Sequence, residues 1–320
     1  WSINLMTDQH SNYTIHSVNH HFGWDNSNKP ILQVRSGTII EIETLDSSGE
    51  QLNMNSTIED VKNLDFSKVN PVTGPIFIEN AKEGDVVEVE FLDFITSGWG
   101  WTAIIPGFGL LADEFNEPDI NLWKYDSNNP NQSLYSSFGK VPLKPFVGTI
   151  GLALKESGNH SIVPPRHCGG NLDIKDLTIR SKIRFPVQVP GALLSLGDTH
   201  AAQGDGEVCG TALESPMKIV VKINLIKNLS IPTPQYETFE SSSQHIDKYG
   251  YFVTTGIGPD LMEGAKNAVR AMIDLLGKNE NIPPNKAYML CSVCSDLRIS
   301  EIVDVPNWVV SCYFPKFVFS

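Results

Sequence analysis

The sequence predicts a mainly β protein: a β-sandwich body of the jelly-roll type with an α+β, helix-containing element appended at its C-terminal end. Three observations carry this. Strict alternation of apolar and polar residues recurs along the chain. The alternating runs are separated by dense turn chemistry, to which 25 glycines and 20 prolines contribute. One long segment near the C-terminus instead follows a helical period. The division that follows is a body over residues 1–230, carrying the polar site, and an α+β element over residues 231–320 packed on it.

The strands are read from period two, which places every second side chain on one face. "TIIEIET" around Ile40 is such a run, as is "DVVEVEFLDF" from Asp85, with Val87, Val89 and Phe91 on one side. Ile219, Val221, Ile223 and Leu225 form a third. Between them lie "NSNKP", "DSSGE", "NPVTGP", "DSNNPNQS" and "KESGNH". The polar, turn-rich region from Asn116 to Gly139 reads as a surface excursion or lid. After "TTGIGPD", Leu261, Ala265, Ala268, Val269, Met272, Leu275 and Leu276 define an amphipathic helix ending at Gly277. A shorter helix follows Pro284, and "RISEIVD" and "WVVSCYF" return to strand.

Composition excludes some functions. With 37 acidic against 24 basic residues the 320-residue chain carries a formal net charge of -13 and no basic patch, which argues against nucleic acid and against anionic membranes. Its apolar stretches are broken well short of the roughly 20 residues that span a bilayer, and the polar N-terminal segment lacks a signal-peptide core. A cytoplasmic location is expected. Five cysteines fit a reducing compartment, and Cys291 and Cys294, three apart in a helical run, read as buried structural thiols.

One stretch concentrates chemistry: "GDTHAAQGDGEVCGTALE", Gly197 to Glu214, sets Asp198, His200, Asp205 and Glu207 among small residues. Its flanks, "FPVQVPGALLSL" and "PMKIVVKINL", are β-forming, so the acidic run reads as the link between two buried strands. Upstream, "PPRHCGGNLDIKD" supplies His167, Asn171 and Asp173 beside glycines that let backbone approach a ligand. Carboxylate, amide and imidazole donors suit a divalent cation: zinc, or calcium and magnesium where oxygen dominates. The bland alternative is that Asp, Asn and Gly here only form turns, and Asp205, inside "GDG", is the first acid to assign to that role. His10, His16, His20 and His21 read as solvated. GxSxG, HExxH, Walker and GxGxxG patterns are absent, while Cys168 beside His167 and Cys209 near His200 keep a thiolate route open.

Taken together, "GGNLD" (Gly169 to Asp173), "VPGALLSLGDTHAAQGDGEVCGTALE" (Val189 to Glu214), "NPVTGPIFIENAKEGD" (Asn70 to Asp85), "IIPGFGLLADEF" (Ile104 to Phe115) and "PFVGTIGLAL" (Pro145 to Leu154) resemble the acetamidase/formamidase family over most of the chain. The resemblance implies a cytoplasmic, oligomeric enzyme, a homodimer or larger, that hydrolyses formamide, acetamide or similar short-chain amides to carboxylate and ammonia. Carried onto this sequence, Asn171, Asp173, Asp198 and His200 become the candidate ligands of a divalent metal, zinc first and calcium second, that activates water. Glu207 is the general base, with His200 also catalytic, and His167, Gly170, Gly206 and Cys209 are expected to contact substrate. Backbone N–H groups at Gly169 to Gly170 and Gly204 to Gly206 are the candidate oxyanion donors. Two competing readings stay open. One is a cyclic amide or lactam hydrolase at the same site. The other is a metal-dependent carbohydrate-binding module in which Trp99 and Trp101 stack on a sugar, although aromatic core packing is the commoner fate of such residues.

Overall fold

The computed structural model describes residues 13–128, 133–238, 247, 249–303 and 305–320. His10 lies outside them. Two sheets form the body. The six-stranded sheet runs in the order Tyr13–Ile15, Thr38–Glu43, Met217–Ile226, Val86–Thr96, Lys182–Pro186 and Gln235–Glu237. The nine-stranded sheet runs Gly169–Asn171, Phe146–Gly151, Leu194–Ala202, Leu213–Glu214, Trp99–Ile104 and Asp119–Lys124. A branch through Val72–Ile78, which also pairs with Leu194–Ala202, carries His20–His21 and Leu32–Val34.

The predicted alternation is what joins the sheets. Ile219, Val221 and Ile223 are buried while Lys218, Val220, Lys222 and Asn224, which flank and separate them, are half-buried. Their apolar side meets Ile40, Ile42, Val87 and Val89 from the same sheet and Ile76, Val147, Ile150, Leu194 and Leu196 from the other, in one continuous core. Thr44 and Thr199 hydroxyls, 3.0 Å apart, tie the two layers. The strand Leu194–Ala202 is buried at every position, as expected of a strand covered on both faces.

Two expectations are corrected here. Asp198 and His200 lie within the strand Leu194–Ala202 and not in the link that follows it, because the ladder with Phe146–Gly151 continues to His200. The region from Asn116 to Gly139 is not wholly a surface excursion: Asp119–Lys124 pairs with Trp99–Ile104, Trp123 is buried, and its indole N–H donates to Thr102 Oγ1 at 2.9 Å.

The C-terminal element is an antiparallel sheet, Tyr251–Gly258, Trp308–Pro315 and Asp296–Glu301, with two helices. The first helix, Leu261–Glu280, starts on Asp260, whose side chain accepts the Glu263 N–H at 2.9 Å, and buries Val269, Met272, Ile273 and Leu276. It runs one turn past Gly277 and ends at Asn281, whose φ of 54° breaks the helical path. The second, Pro284–Cys294, is buried from Ala287 onward and carries Cys291 and Cys294 into the interior as structural thiols. Among the described residues no helix is long and apolar enough to cross a membrane.

This element does more than cap the body. Tyr288 OH donates to Val208 O and accepts the Leu111 N–H at 2.9 Å. Ser292 Oγ donates to Thr211 O at 2.7 Å and accepts Cys209 N–H at 3.2 Å, while Ser292 O accepts the Gly204 N–H at 2.8 Å. The loop from 203 to 212, which carries Glu207, is therefore shaped by a helix some 80 residues away in sequence.

Candidate active site

The site begins with three strained residues. Asp198, Asp173 and Glu207 have φ of 50°, 50° and 42°, left-handed values that cost a non-glycine residue about 1 kcal/mol or more each. At Asp198 the distortion interrupts the pairing of Leu194–Ala202 with Phe146–Gly151, whose registered pairs include Gly197 and Thr199 but skip Asp198. Gly148 faces this break. A Cβ there would lie 2.8 Å from Asp173 Oδ1, 2.8 Å from Asp198 O and 2.9 Å from His200 Cε1, so only glycine leaves room for the three to meet.

The side chains converge on His200. Its Nε2 is 3.0 Å from Asp198 Oδ1 and 3.2 Å from Glu214 Oε2. Donor atoms of Asp173, Asp198 and His200 lie within 4.8 Å of one another, and so do those of His200, Glu207 and Glu214. On the other side of the ring, Nδ1 is 2.8 Å from Gln203 Oε1, and the Gln203 amide nitrogen donates to Asp173 O at 2.8 Å. That second bond fixes which way the Gln203 amide faces, so Nδ1 carries the proton and Nε2 is turned toward the carboxylates. Phe146 holds the ring edge-on at 5.0 Å.

The acids are positioned in turn. Asp198 Oδ2 accepts from Thr149 Oγ1 at 3.0 Å and from Asn70 Nδ2 at 3.4 Å. Glu214 accepts from Ser47 Oγ at 2.8 Å and from the Ala212 N–H at 2.9 Å. Asp173 differs: its Oδ1 is buried and has no hydrogen-bond partner.

Four carboxylates around one imidazole, with His200, Asp198 and Glu214 at most 4% exposed, form an electrostatically frustrated group. Burial, and then the neighbouring Asp198 charge, push the Asp173 carboxyl up to about 7. Burial and Asp173 raise Glu207 well above the ordinary carboxylate range, and burial raises Glu214. Burial alone would lift Asp198 as well, but His200 outweighs it and holds that carboxyl low. Burial opposes the charge on His200, yet Glu214 and Asp198 overcome it and hold the imidazole well above its usual value. The cluster thus lacks positive charge, and protons or a cation must supply it.

The cluster opens on a cavity of about 240 Å³. Asn70, Asn171, Asp173, Asp198, Glu207 and Glu214 line its polar end, and Leu64, Phe66, Trp101, Ile105, Phe108 and Val163 its apolar walls. A wider, open cleft of about 590 Å³ lies against the first C-terminal helix, where Glu114 pairs with Arg270, and touches none of the cluster acids.

Of the residues chosen from sequence, Asp173, Asp198, His200 and Glu207 come together here. Asn171 lines the cavity, and its Oδ1 accepts from Thr149 at 2.6 Å and from Asn70 at 3.3 Å. His167 is placed elsewhere, exposed in a separate cleft with Glu156, Pro165 and Gln188. Cys209 Sγ points to Thr211 O and Ala103 O, at 3.5 and 3.6 Å, and burial raises its thiol. Burial also pushes the Cys168 thiol up to about 11, so neither cysteine has the environment of a thiolate nucleophile. Gly170 pairs with Ile150, and Gly206 turns against Leu297. The N–H groups of Gly169 and Gly204 donate to Arg166 O and Ser292 O, which removes them as oxyanion donors. Asp205 pairs with Lys175 at 3.4 Å and is structural. Trp101 is core-buried, its indole N–H given to Asp46 at 2.9 Å. His16 is exposed beside Glu43, while His21 is partly buried and contacts Ser195 Oγ at 2.9 Å, unlike a solvated histidine.

Sequence reasoning missed Glu214, Gln203, Thr149 and Asn70. Glu214 did leave a signal, an acid inside the apolar run "ALESPMKIVV". Its role comes from cross-strand register, which sets it opposite His200.

A strained, buried carboxylate–imidazole cluster at the end of a small-molecule cavity is the candidate active site of an enzyme. Comparison with known proteins says of which kind. Residues 6–157 and 154–320 match the Acetamidase/Formamidase family, and the chain belongs to it. It is 27% identical to a formamidase from Methylophilus methylotrophus over 93% of this chain and 89% of that protein. It is 30% identical to an acetamidase from Mycolicibacterium smegmatis over 61% and 63% of the two. Among solved structures, an acetamidase from Bacillus halodurans superposes with a TM-score of 0.66 at 31% identity, covering 96% of this chain and 98% of that one. A gamma lactamase from Delftia acidovorans shares the fold more closely, with a TM-score of 0.88 at 24% identity over 96% and 93%. The protein is an amide hydrolase.

Proposed function

We propose that this enzyme hydrolyses primary carboxamides such as formamide and acetamide to the carboxylate and ammonia, with a divalent cation, zinc, held by Asp173, Asp198 and His200. The observation that carries the reading is Asp173, whose buried Oδ1 has no partner and whose carboxylate lies within 4.8 Å of donor atoms of Asp198 and His200. A buried anion left unpaired is costly, and a cation at that point resolves it. Gln203 on Nδ1 is the kind of outer partner that orients a metal-binding histidine. The mixed nitrogen and oxygen donors suit zinc better than calcium, which prefers six to eight oxygens. Glu214, on the same histidine nitrogen, stands as a further donor beside His200 and Glu207.

Bound there, a divalent ion polarises an amide carbonyl and lowers the pKa of water toward roughly 7. The chain's own groups do the rest. Glu207 lines the cavity, and its raised carboxyl affinity for protons fits a base that takes the proton of the attacking water and returns it to the departing nitrogen. The Asn70 amide, whose bonds to Asn171 and Asp198 are long at 3.3 and 3.4 Å, is free to exchange one for the developing oxyanion. His200 is held by Gln203 as a fixed imidazole and takes no part in proton transfer. The five cysteines, all free and buried, support a reducing, cytoplasmic setting. A homo-oligomer is expected, and solution mass measurement tests it.

The test is elemental analysis of the purified protein with ammonia release from formamide and acetamide before and after chelation. Zinc at stoichiometric level and chelator-sensitive ammonia release are expected. Glu207→Gln should lower kcat by about 10²- to 10⁴-fold with zinc retained; full activity in that variant removes Glu207 from the mechanism. Ring opening of a lactam without ammonia release from any open-chain amide would select the lactam reading instead.

A further inference from the structure

We infer that the acyl group this enzyme is built to accept is larger than acetyl: an apolar branched or aromatic group of about six heavy atoms. The inference rests on the amide-hydrolase reading and concerns only which carboxamide fits. Three observations on the cavity carry it.

The first is volume. The cavity holds about 240 Å³, whereas an apolar cavity of about 150 Å³ already admits benzene. Formamide and acetamide, with three and four heavy atoms, would leave most of it to water. A benzene-sized substituent together with a carboxamide fills it.

The second is the segregation of the lining. The four carboxylates and both asparagines form one connected group, through His200 and through Asn70 to Asn171 and Asp198, whereas the rest of the lining is Leu64, Phe66, Val69, Trp101, Ile105, Phe108 and Val163 with Ser47, Ser48, Gly210 and Thr211. Water against such walls makes few hydrogen bonds, so an apolar acyl group gains free energy by displacing it. The leaving amine is small in the reading above, which assigns the apolar volume to the acyl side.

The third is exposure. Phe66, Phe108 and Val163 are 47%, 40% and 41% exposed although they border a cavity in which Trp101 is 2% and Ile105 9% exposed. Phe66 and Phe108 stack on one another, centroids 5.2 Å apart and planes within 16°. Grouped aromatic exposure at the mouth of a pocket marks a surface that a ligand covers.

A kinetic panel of primary amides tests this: formamide, acetamide, butyramide, 3-methylbutanamide, hexanamide and benzamide, each followed by ammonia release. kcat/KM is expected to rise with acyl size, by about ten-fold or more for each group that finds a wall, and to peak at 3-methylbutanamide, hexanamide or benzamide. Ile105→Trp, which fills the apolar half, should reverse the order of benzamide and acetamide, and Phe108→Ala, at an exposed position, should lower the ratio of benzamide to acetamide kcat/KM by about ten-fold. Formamide or acetamide as the best substrate, with benzamide at least ten-fold poorer, overturns the inference and leaves the amide-hydrolase reading standing. Absence of ammonia from every amide of the panel overturns both.

Discussion

Gly148→Ala is the sharpest test of the site as drawn. Glycine there has no positive φ to preserve, so alanine adds one methyl group and no backbone strain. That methyl would sit 2.8 Å from Asp173 Oδ1, 2.8 Å from Asp198 O and 2.9 Å from His200 Cε1, where ordinary contact begins at 3.4 Å. Each neighbour must therefore retreat by about 0.5 Å, and Asp173 lies on a different segment from the strand Leu194–Ala202 that carries Asp198 and His200. The Asp198 oxygen is backbone, and His200 is held by Gln203 and Phe146, so the imidazole cannot simply swing away. Overpacking of this kind costs about 1 to 3 kcal/mol of stability. Displacement of reacting groups on the ångström scale costs about 100-fold in rate. The expected result is a folded protein with a lowered melting temperature, kcat/KM reduced by about 100-fold or more, and metal lost on dialysis. The assays are ammonia release, elemental analysis and thermal unfolding. Gly258→Ala, whose Cβ would meet nothing within 4 Å, is the matched control. Wild-type kcat/KM and metal content in Gly148→Ala would refute the claim that Asp173, Asp198 and His200 act as one site.

Gln203→Leu removes the acceptor for His200 Nδ1 and the donor to Asp173 O; zinc affinity measured by competition with a chelating dye should fall about 10- to 100-fold, and an unchanged affinity would show that His200 needs no such partner. Asp173 and His200 both bind protons more tightly in the folded, ion-free protein than in the unfolded chain, so the stability they contribute is present at low pH and is lost as pH rises, for Asp173 through about 7. Metal-free protein should accordingly melt lower at pH 8 than at pH 5 by an amount reflecting a few kcal/mol, and zinc should reverse the slope; a flat profile without metal refutes the frustrated-charge account. Ser292→Ala leaves Thr211 O and Cys209 N–H without their partner in the interior, so unfolding should become about 1 to 3 kcal/mol easier, with kcat reduced because the loop bearing Glu207 loosens. Equal kcat in that variant would detach the C-terminal helix from catalysis.

The chain by itself determined its strands, its amphipathic helix and the chemical types at the site. Period two in Ile219, Val221 and Ile223 and the helical period from Leu261 are local signals, set by which neighbours share a face within a few residues. The donors of "GGNLD" and "GDTH" were legible for the same reason, since their types and spacing lie within five residues. Tertiary structure decided which of them meet. Asp173 joins Asp198 and His200 through a Gln203 bridge spanning 30 positions, and Glu214 joins them because register, a property of two strands, places it opposite His200. The link that carries Glu207 takes its shape from Ser292 and Tyr288, 80 or more residues away. His167 shows the converse: close in sequence to Asn171, it is turned to a different cleft. Spacing along a chain fixes what is adjacent on one element, but distances between elements follow from core packing and ladder register, which no short window contains.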